Sequence, residues 1–192
     1  MSGLETDPVL SFKSARSWDT GLAKSHASGE GVWLRIFKKD SGQKTVTYAE
    51  ALDVALCYGW IDGLKRSYDD TSFLQRFTPR RIRSAWSKVN TEHVERLTKA
   101  GRMKPAGVRA VEAARGDGRW ARAYESPKNA NVPEDFLSAL KKNKEAYAFF
   151  ETLNRANLYA IAYRLSTAKK AETRERRMAQ ILEMLAKGER FH

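Results

Sequence analysis

What the 192-residue sequence lacks narrows the reading first. It has one cysteine, Cys57, so no disulfide can form within the chain, and one thiol beside three scattered histidines (His26, His93, His192) makes no zinc pattern. No segment approaches the roughly 18 consecutive apolar residues of a membrane-spanning helix. Met1–Pro8 has no basic patch followed by an apolar run, so no export signal is expected there and the expected compartment is the reducing cytoplasm. A Walker loop, GxGxxG, HExxH and paired CxxC are all missing, which argues against the commonest nucleotide and metal chemistries; neither a cofactor nor a metal is expected. No helix-turn-helix or RNP-like signature is present either, so a nucleic-acid reading rests on charge and aromatic residues. Acid is also in short supply. Lys and Arg number 35 against 23 Asp and Glu, a formal charge of +12 and a pI near 9.9. That balance favours anionic ligands on encounter and says nothing about fold.

Hydrophobic residues make up 42% of the chain, enough for a real core. Val9–Lys13 alternates as a short strand before a helix that starts near Ser14 and carries Trp18 and Leu22 on one face. Val32–Phe37 is β-branched and aromatic on both faces, the mark of a central strand. Thr47-Tyr48-Ala49-Glu50 is a capping box that opens a helix with Leu52, Ala55 and Leu56 inward, and Gly59 falls where that helix needs a left-handed stop. Trp60–Ser67 and Thr71–Phe77 flank Tyr68-Asp69-Asp70 as a hairpin, with Trp60, Asp62, Leu64 and Arg66 on one face of its first strand. Asn90 or Thr91 is expected to begin a helix with Val94, Leu97 and Ala100 inward. Pro105 opens another with Val108 and Val111. Beyond a polar stretch the pattern is wholly helical. Its last helix follows a Ser166 or Thr167 cap and shows a Met178, Ile181, Leu182, Leu185 stripe.

Aromatic rings, guanidinium groups and small hydroxyls interleave most densely between Cys57 and Asn90. The candidate ligand-binding residues are Trp60, Asp62, Arg76, Arg80, Arg81, Ser84, Trp86, Ser87 and Asn90. Arginine offers a planar fork of donors to carboxylate or phosphate, and an indole offers a broad face with one N–H. Trp60, which begins a strand, reads first as a core residue, Trp86 serves equally well as core or as a binding face, and a basic run equally well as a solvated face. Asp62, near several arginines, suits the orienting of one guanidinium or the work of a general base. No catalytic residue is named by these patterns.

The motifs Tyr48-Ala49-Glu50-Ala51-Leu52, Ala55 through Gly63, Arg76 through Arg81 and Ser84 through Asn90 resemble the YdeI/OmpD-associated family, labelled as bacteriocin-protection proteins. Gly101-Arg102-Met103, Gly118-Arg119-Trp120 and Glu172 through Arg177 match later signatures of that family. The resemblance implies a role in stress or in tolerance of antimicrobial peptides, and it brings no catalytic residues with it.

The expected fold is α+β, a small mostly antiparallel sheet packed by helices and followed by a C-terminal helical tail. Residues 1–125 form the core domain, 126–132 a linker, and 133–192 a helical segment docked on the core. The expected function is binding of an anionic or aromatic small molecule in a basic and aromatic pocket. Alternatives are nucleic-acid binding through the basic helices and a small-molecule enzyme with Asp62 as base.

Overall fold

The fold grows from β2 (Val32–Phe37), which is hydrogen-bonded on both sides. The computed structural model describes residues 7–192; the reading of Met1–Pro8 falls mostly outside them. On one side β1 (Val9–Ser11) runs parallel to β2, with Leu10 opposite Leu34. On the other, β4 (Ser72–Pro79) runs antiparallel, with Val32 opposite Phe77, and β3 (Trp60–Asp69) closes the order β1-β2-β4-β3. The architecture is the expected α+β, a mostly antiparallel sheet with eight α-helices among the described residues.

The chain divides into two compact units. One runs to Ala85 and resumes over Asn90–Ala121; the other comprises Trp86–Val89 and Arg122–His192. In the first, α1 (Ala15–Ser25) starts at a Ser14 capping box and buries Trp18 and Leu22. The Trp18 indole donates Nε1–H to the Ala51 carbonyl at 3.1 Å and lies 5.9 Å from the Phe77 ring. α2 (Tyr48–Cys57) starts at the Thr47–Glu50 capping box and buries Ala51 through Cys57 apart from Asp53. Gly59, with φ of 75°, ends it as expected. α3 (Lys88–Lys99) and α4 (Pro105–Gly116) follow. α4 comes so close to the end of α2 that a Cβ on Gly107 would sit 2.2 Å from the Cys57 carbonyl oxygen. A glycine is therefore a steric requirement there.

Four local expectations are corrected. The β3–β4 turn is only Asp70-Thr71, and the ladder slips between Asp62 and Lys65. Trp60 and Asp62 oppose Pro79 and Phe77 while Arg66 opposes Leu74, so the bulge sends Arg66 to the face opposite Trp60 and Asp62. α3 begins two residues before Asn90, and its inward residues are Thr91, Val94 and Leu97, with Ala100 exposed. In α4 the buried positions are Gly107, Val111 and Ala114, whereas Val108 faces solvent.

The second unit contains α5 (Glu134–Leu140), α6 (Lys144–Glu151), α7 (Arg155–Ser166) and α8 (Ala171–Ala186). Asn143 and Asn154 cap α6 and α7 by accepting from Ala146 N–H and Asn157 N–H. Thr167 ends α7, its hydroxyl donating to the Tyr163 carbonyl at 2.6 Å; α8 starts from Lys170. That is the fourth correction. Phe136, Leu140, Ala146, Ile161, Leu165, Ile181 and Leu185 form the core of this unit. No helix among the described residues is long and apolar enough to cross a membrane.

Candidate functional site

The residues singled out between Trp60 and Asn90 take up unlike positions. Trp60 is 1% exposed, and its Nε1–H is satisfied by the His26 carbonyl at 3.1 Å. Asp62 accepts the Tyr48 hydroxyl at 2.8 Å. Burial, and then that carboxylate, push the Tyr48 phenol well above its ordinary range, so it stays a donor. Arg76 donates Nε–H and Nη2–H to Asp7 Oδ2, at 2.6 and 2.5 Å. Arg80 donates Nη1–H to the Ala85 carbonyl at 3.1 Å, and Arg81 is exposed. Ser84 offers its carbonyl to Arg119 Nη1–H at 3.0 Å. Trp86, also 1% exposed, and Ser87 belong to the second unit; Ser87 forms a parallel bridge with Tyr124. Asn90 lies half-buried on α3. Both indoles are thus interior. Burial of a tryptophan's large apolar area outweighs the pull of its single N–H toward water.

A polar cluster in the first unit escaped the sequence reading. Asp53 accepts Arg96 Nη2–H through both carboxylate oxygens, at 2.6 and 2.8 Å, and lies 2.9 Å from His93 Nδ1. His93 and Arg96 stand three apart on α3 and so share a face. Burial opposes ionisation of Asp53, but the bonds from Arg96 and His93 outweigh it and hold the carboxyl below its usual range. The signal in the sequence was Asp53 itself, the one charge in Ala51–Cys57; its partner lies 40 residues away. Close by, Arg16, Asp19, Arg102, Lys104 and Cys57 line a hollow of about 380 Å³. Burial pushes the Cys57 thiol up, which disfavours the nucleophilic thiolate. No group of three or more His, Cys, Asp or Glu among the described residues could hold a metal ion.

The second unit builds an aromatic site from one helix face. Tyr159 and Tyr163 stand four apart on α7, their rings 5.8 Å apart, and Tyr124 meets Tyr163 edge-on at 5.0 Å. These phenols line a cavity of about 250 Å³ together with Lys88, Arg122 and Ser166. Backbone pairing fixes the edge of the cavity: Tyr124 N–H donates to the Trp86 carbonyl and Lys88 N–H to the Tyr124 carbonyl, each at 2.9 Å. Lys88 pairs with Glu125 at the same rim. Burial and the neighbouring phenols raise the Tyr159 pKa, so at neutral pH its hydroxyl is a neutral donor. A second hollow, about 360 Å³, shares Tyr159 and Tyr163 and adds Arg164, Thr167, Arg177 and His192. Asn157, which the sequence reading passed over, sets this wall. It is buried, and its Oδ1 accepts the N–H groups of Phe191 and His192 at 3.0 and 3.1 Å.

Residues 129–188 match the family described as Bacteriocin-protection, YdeI or OmpD-Associated, and residues 10–110, over half of the chain, match a domain of unknown function, DUF8412. The chain belongs to the DUF8412 family, and its segment 129–188 is similar to the YdeI/OmpD-associated family. No curated protein and no solved structure matches it. Of the motifs that carry the resemblance, Gly118-Arg119-Trp120 lies between the two matches. Glu172 through Arg177 falls in the YdeI/OmpD-associated part, while those from Tyr48 to Met103 fall in the DUF8412 part. Tyr159 and Tyr163, the wall common to both hollows, lie inside the YdeI/OmpD-associated match.

Proposed function

We propose that this protein is a binding protein whose helical unit, the part similar to the YdeI/OmpD-associated family, takes an anionic ligand bearing an aromatic ring. The observation that supports this most is the cavity walled by Tyr124, Tyr159 and Tyr163 with Lys88 and Arg122 at its margin. It pairs a surface for a flat ring with counter-charge for an anion. This keeps the binding role expected from the sequence and moves it away from Trp60 and Trp86, whose rings are interior. At about 250 Å³ the cavity is near the small end of ligand pockets, so the ligand is a compact one.

Bacteriocin protection, named in the family description, would then act through an anionic ligand. A chain of net charge +12 repels a cationic peptide and does not sequester one.

Calorimetric titration with phenyl phosphate, phenol and inorganic phosphate tests the reading. Stacking on a phenol contributes about 1–3 kcal/mol and a charge-assisted hydrogen bond about 1.5–3 kcal/mol. Phenyl phosphate should therefore bind with a Kd on the order of 1 mM or tighter, and both fragments more weakly. Tyr163→Ala, at a residue 36% exposed, should weaken phenyl phosphate about tenfold without unfolding the protein. Equal binding of phenyl phosphate and phosphate, or indifference to Tyr163→Ala, would refute it.

A further inference from the structure

We propose that the two hollows of the helical unit form one track for single-stranded nucleic acid, a proposal that rests on the binding role of the tyrosine cavity. Tyr159 and Tyr163 line both hollows, so a ring stacked on either phenol lies where two basic chambers adjoin. Lys88 and Arg122 stand at one chamber, Arg164 and Arg177 at the other. A small aromatic anion uses one chamber and leaves the second idle. A ligand in which anions alternate with rings uses both, and single-stranded nucleic acid is that ligand: one phosphate on either side of each exposed base.

The remaining observations fit the same chemistry. Arg164 is held with its guanidinium 4.3 Å over the Phe191 ring, and Arg177 donates Nη1–H to the Arg164 carbonyl at 2.7 Å. Each contact occupies only part of the donor set of a guanidinium, which keeps the pair beside the hollow with N–H groups to spare. Asn157, itself buried, anchors Phe191 and His192, so the second chamber is built by backbone hydrogen bonds to a fixed side chain as well as by surface side chains. Glu125 opposes binding, since a phosphate at Lys88 must displace it. A duplex is excluded, because its bases are already paired and stacked within the helix and present no face to a phenol. Stacking and phosphate contacts read no base identity, so the track is sequence-tolerant.

Fluorescence anisotropy with labelled deca-thymidylate, set against thymidine monophosphate, phenyl phosphate and polyphosphate, tests the track. The expected result is deca-thymidylate at least about tenfold tighter than the monophosphate, since stacking on a second phenol alone supplies that factor. Log K should fall with log salt at a slope near −3, about 0.7 for each of four phosphates. Tyr163→Ala should lower deca-thymidylate affinity about tenfold and leave polyphosphate unchanged; Arg177→Ala should flatten the salt slope by about 0.7. Phenyl phosphate binding with deca-thymidylate no tighter than the monophosphate would overturn the track and leave the small-ligand role standing. Polyphosphate equal to deca-thymidylate would overturn it as charge alone. Failure of every probe would remove both.

Discussion

Replacing Gly107 by alanine tests how closely the helices of the DUF8412 part are fitted. The added Cβ would lie 2.2 Å from the Cys57 carbonyl oxygen, 2.8 Å from its carbon and 3.0 Å from the Leu56 oxygen. Carbon and oxygen in contact need well over 3 Å, so α4 must retreat from α2 by about 1 Å. All three obstacles are backbone, and no rotamer change relieves them. The same Cys57 oxygen accepts Lys104 N–H at 3.0 Å, at the residue just before α4, and the retreat strains that bond as well. Overpacking costs about 1–3 kcal/mol and a weakened hydrogen bond about 0.5–1.5 kcal/mol. Alanine recovers up to ~1 kcal/mol of helix propensity. The net loss is about 2 kcal/mol, a large part of the 5–15 kcal/mol that holds a typical domain together. Urea unfolding followed by tryptophan fluorescence is the assay, since Trp18, Trp33, Trp60 and Trp120 all lie in the first unit. With a slope of about 2 kcal/mol per molar urea, the midpoint should fall by roughly 1 M. An unchanged or higher midpoint would refute the steric argument.

Three further outcomes follow from the same geometry. Cys57, 2% exposed and with its thiol pushed up by burial, should react with a thiol reagent at least about tenfold more slowly in the native protein than in denaturant; equal rates would show the α2–α4 contact to be open. Asp69 accepts hydrogen bonds from Ser72, Thr71 and Arg35, which, led by the Ser72 hydroxyl, pull its carboxyl down to about 2. A lowered folded-state pKa contributes stability that is complete above the unfolded value near ~3.9 and is lost as pH falls through the folded one. The advantage of wild type over Asp69→Asn should therefore be constant at neutral pH and shrink only in acid, and urea melts across that range check it. Asn157→Ala removes two hydrogen bonds, those from the N–H groups of Phe191 and His192, and at about 1 kcal/mol each should cost about 2 kcal/mol. Hydrogen exchange read at those two amides should rise sharply, and unchanged protection would show that Asn157 does not hold the segment.

Much of the fold was legible because several residues could do only one thing. Val32–Phe37, apolar on both faces, had to be a strand with neighbours on each side, and it is. Thr47 and Glu50 could satisfy each other's backbone only at a helix start, and Gly59 tolerated the left-handed stop. The errors came where one signal fits two structures. The alternation Trp60, Asp62, Leu64, Arg66 runs unbroken in the sequence, but the chain slips at Gly63-Leu64, and a slip of one residue exchanges the faces of the sheet. Thr167 reads as the start of α8 because threonine caps helices; it ends α7 instead, its hydroxyl bound backward to Tyr163. At Gly107 the sequence showed a glycine inside a helix, a small defect by propensity alone. Only the approach of Cys57 from another helix turns that defect into a requirement.

The site was less legible than the fold because the physics that makes an aromatic residue attractive for binding also hides it. The broad indole faces that suit Trp60 and Trp86 to stacking also draw them inside: each is 1% exposed. Tyrosine has a smaller apolar area and a hydroxyl that gains from contact with water or a polar group, so it more readily stays at a surface with its ring available. Tyr163 is 36% exposed and reaches two hollows for that reason. The i, i+4 spacing of Tyr159 and Tyr163 was visible in the sequence, beside Ile161 and Leu165, which bind α7 to the core. A pair of phenols on the flank of a buried stripe, beside Arg164, is therefore a better sign of a surface for rings than two tryptophans in a basic loop. The same reasoning separates the arginines. Arg76 and Arg96 are taken by Asp7 and Asp53, carboxylates distant in sequence, so a count of local charge overstates what a ligand would meet.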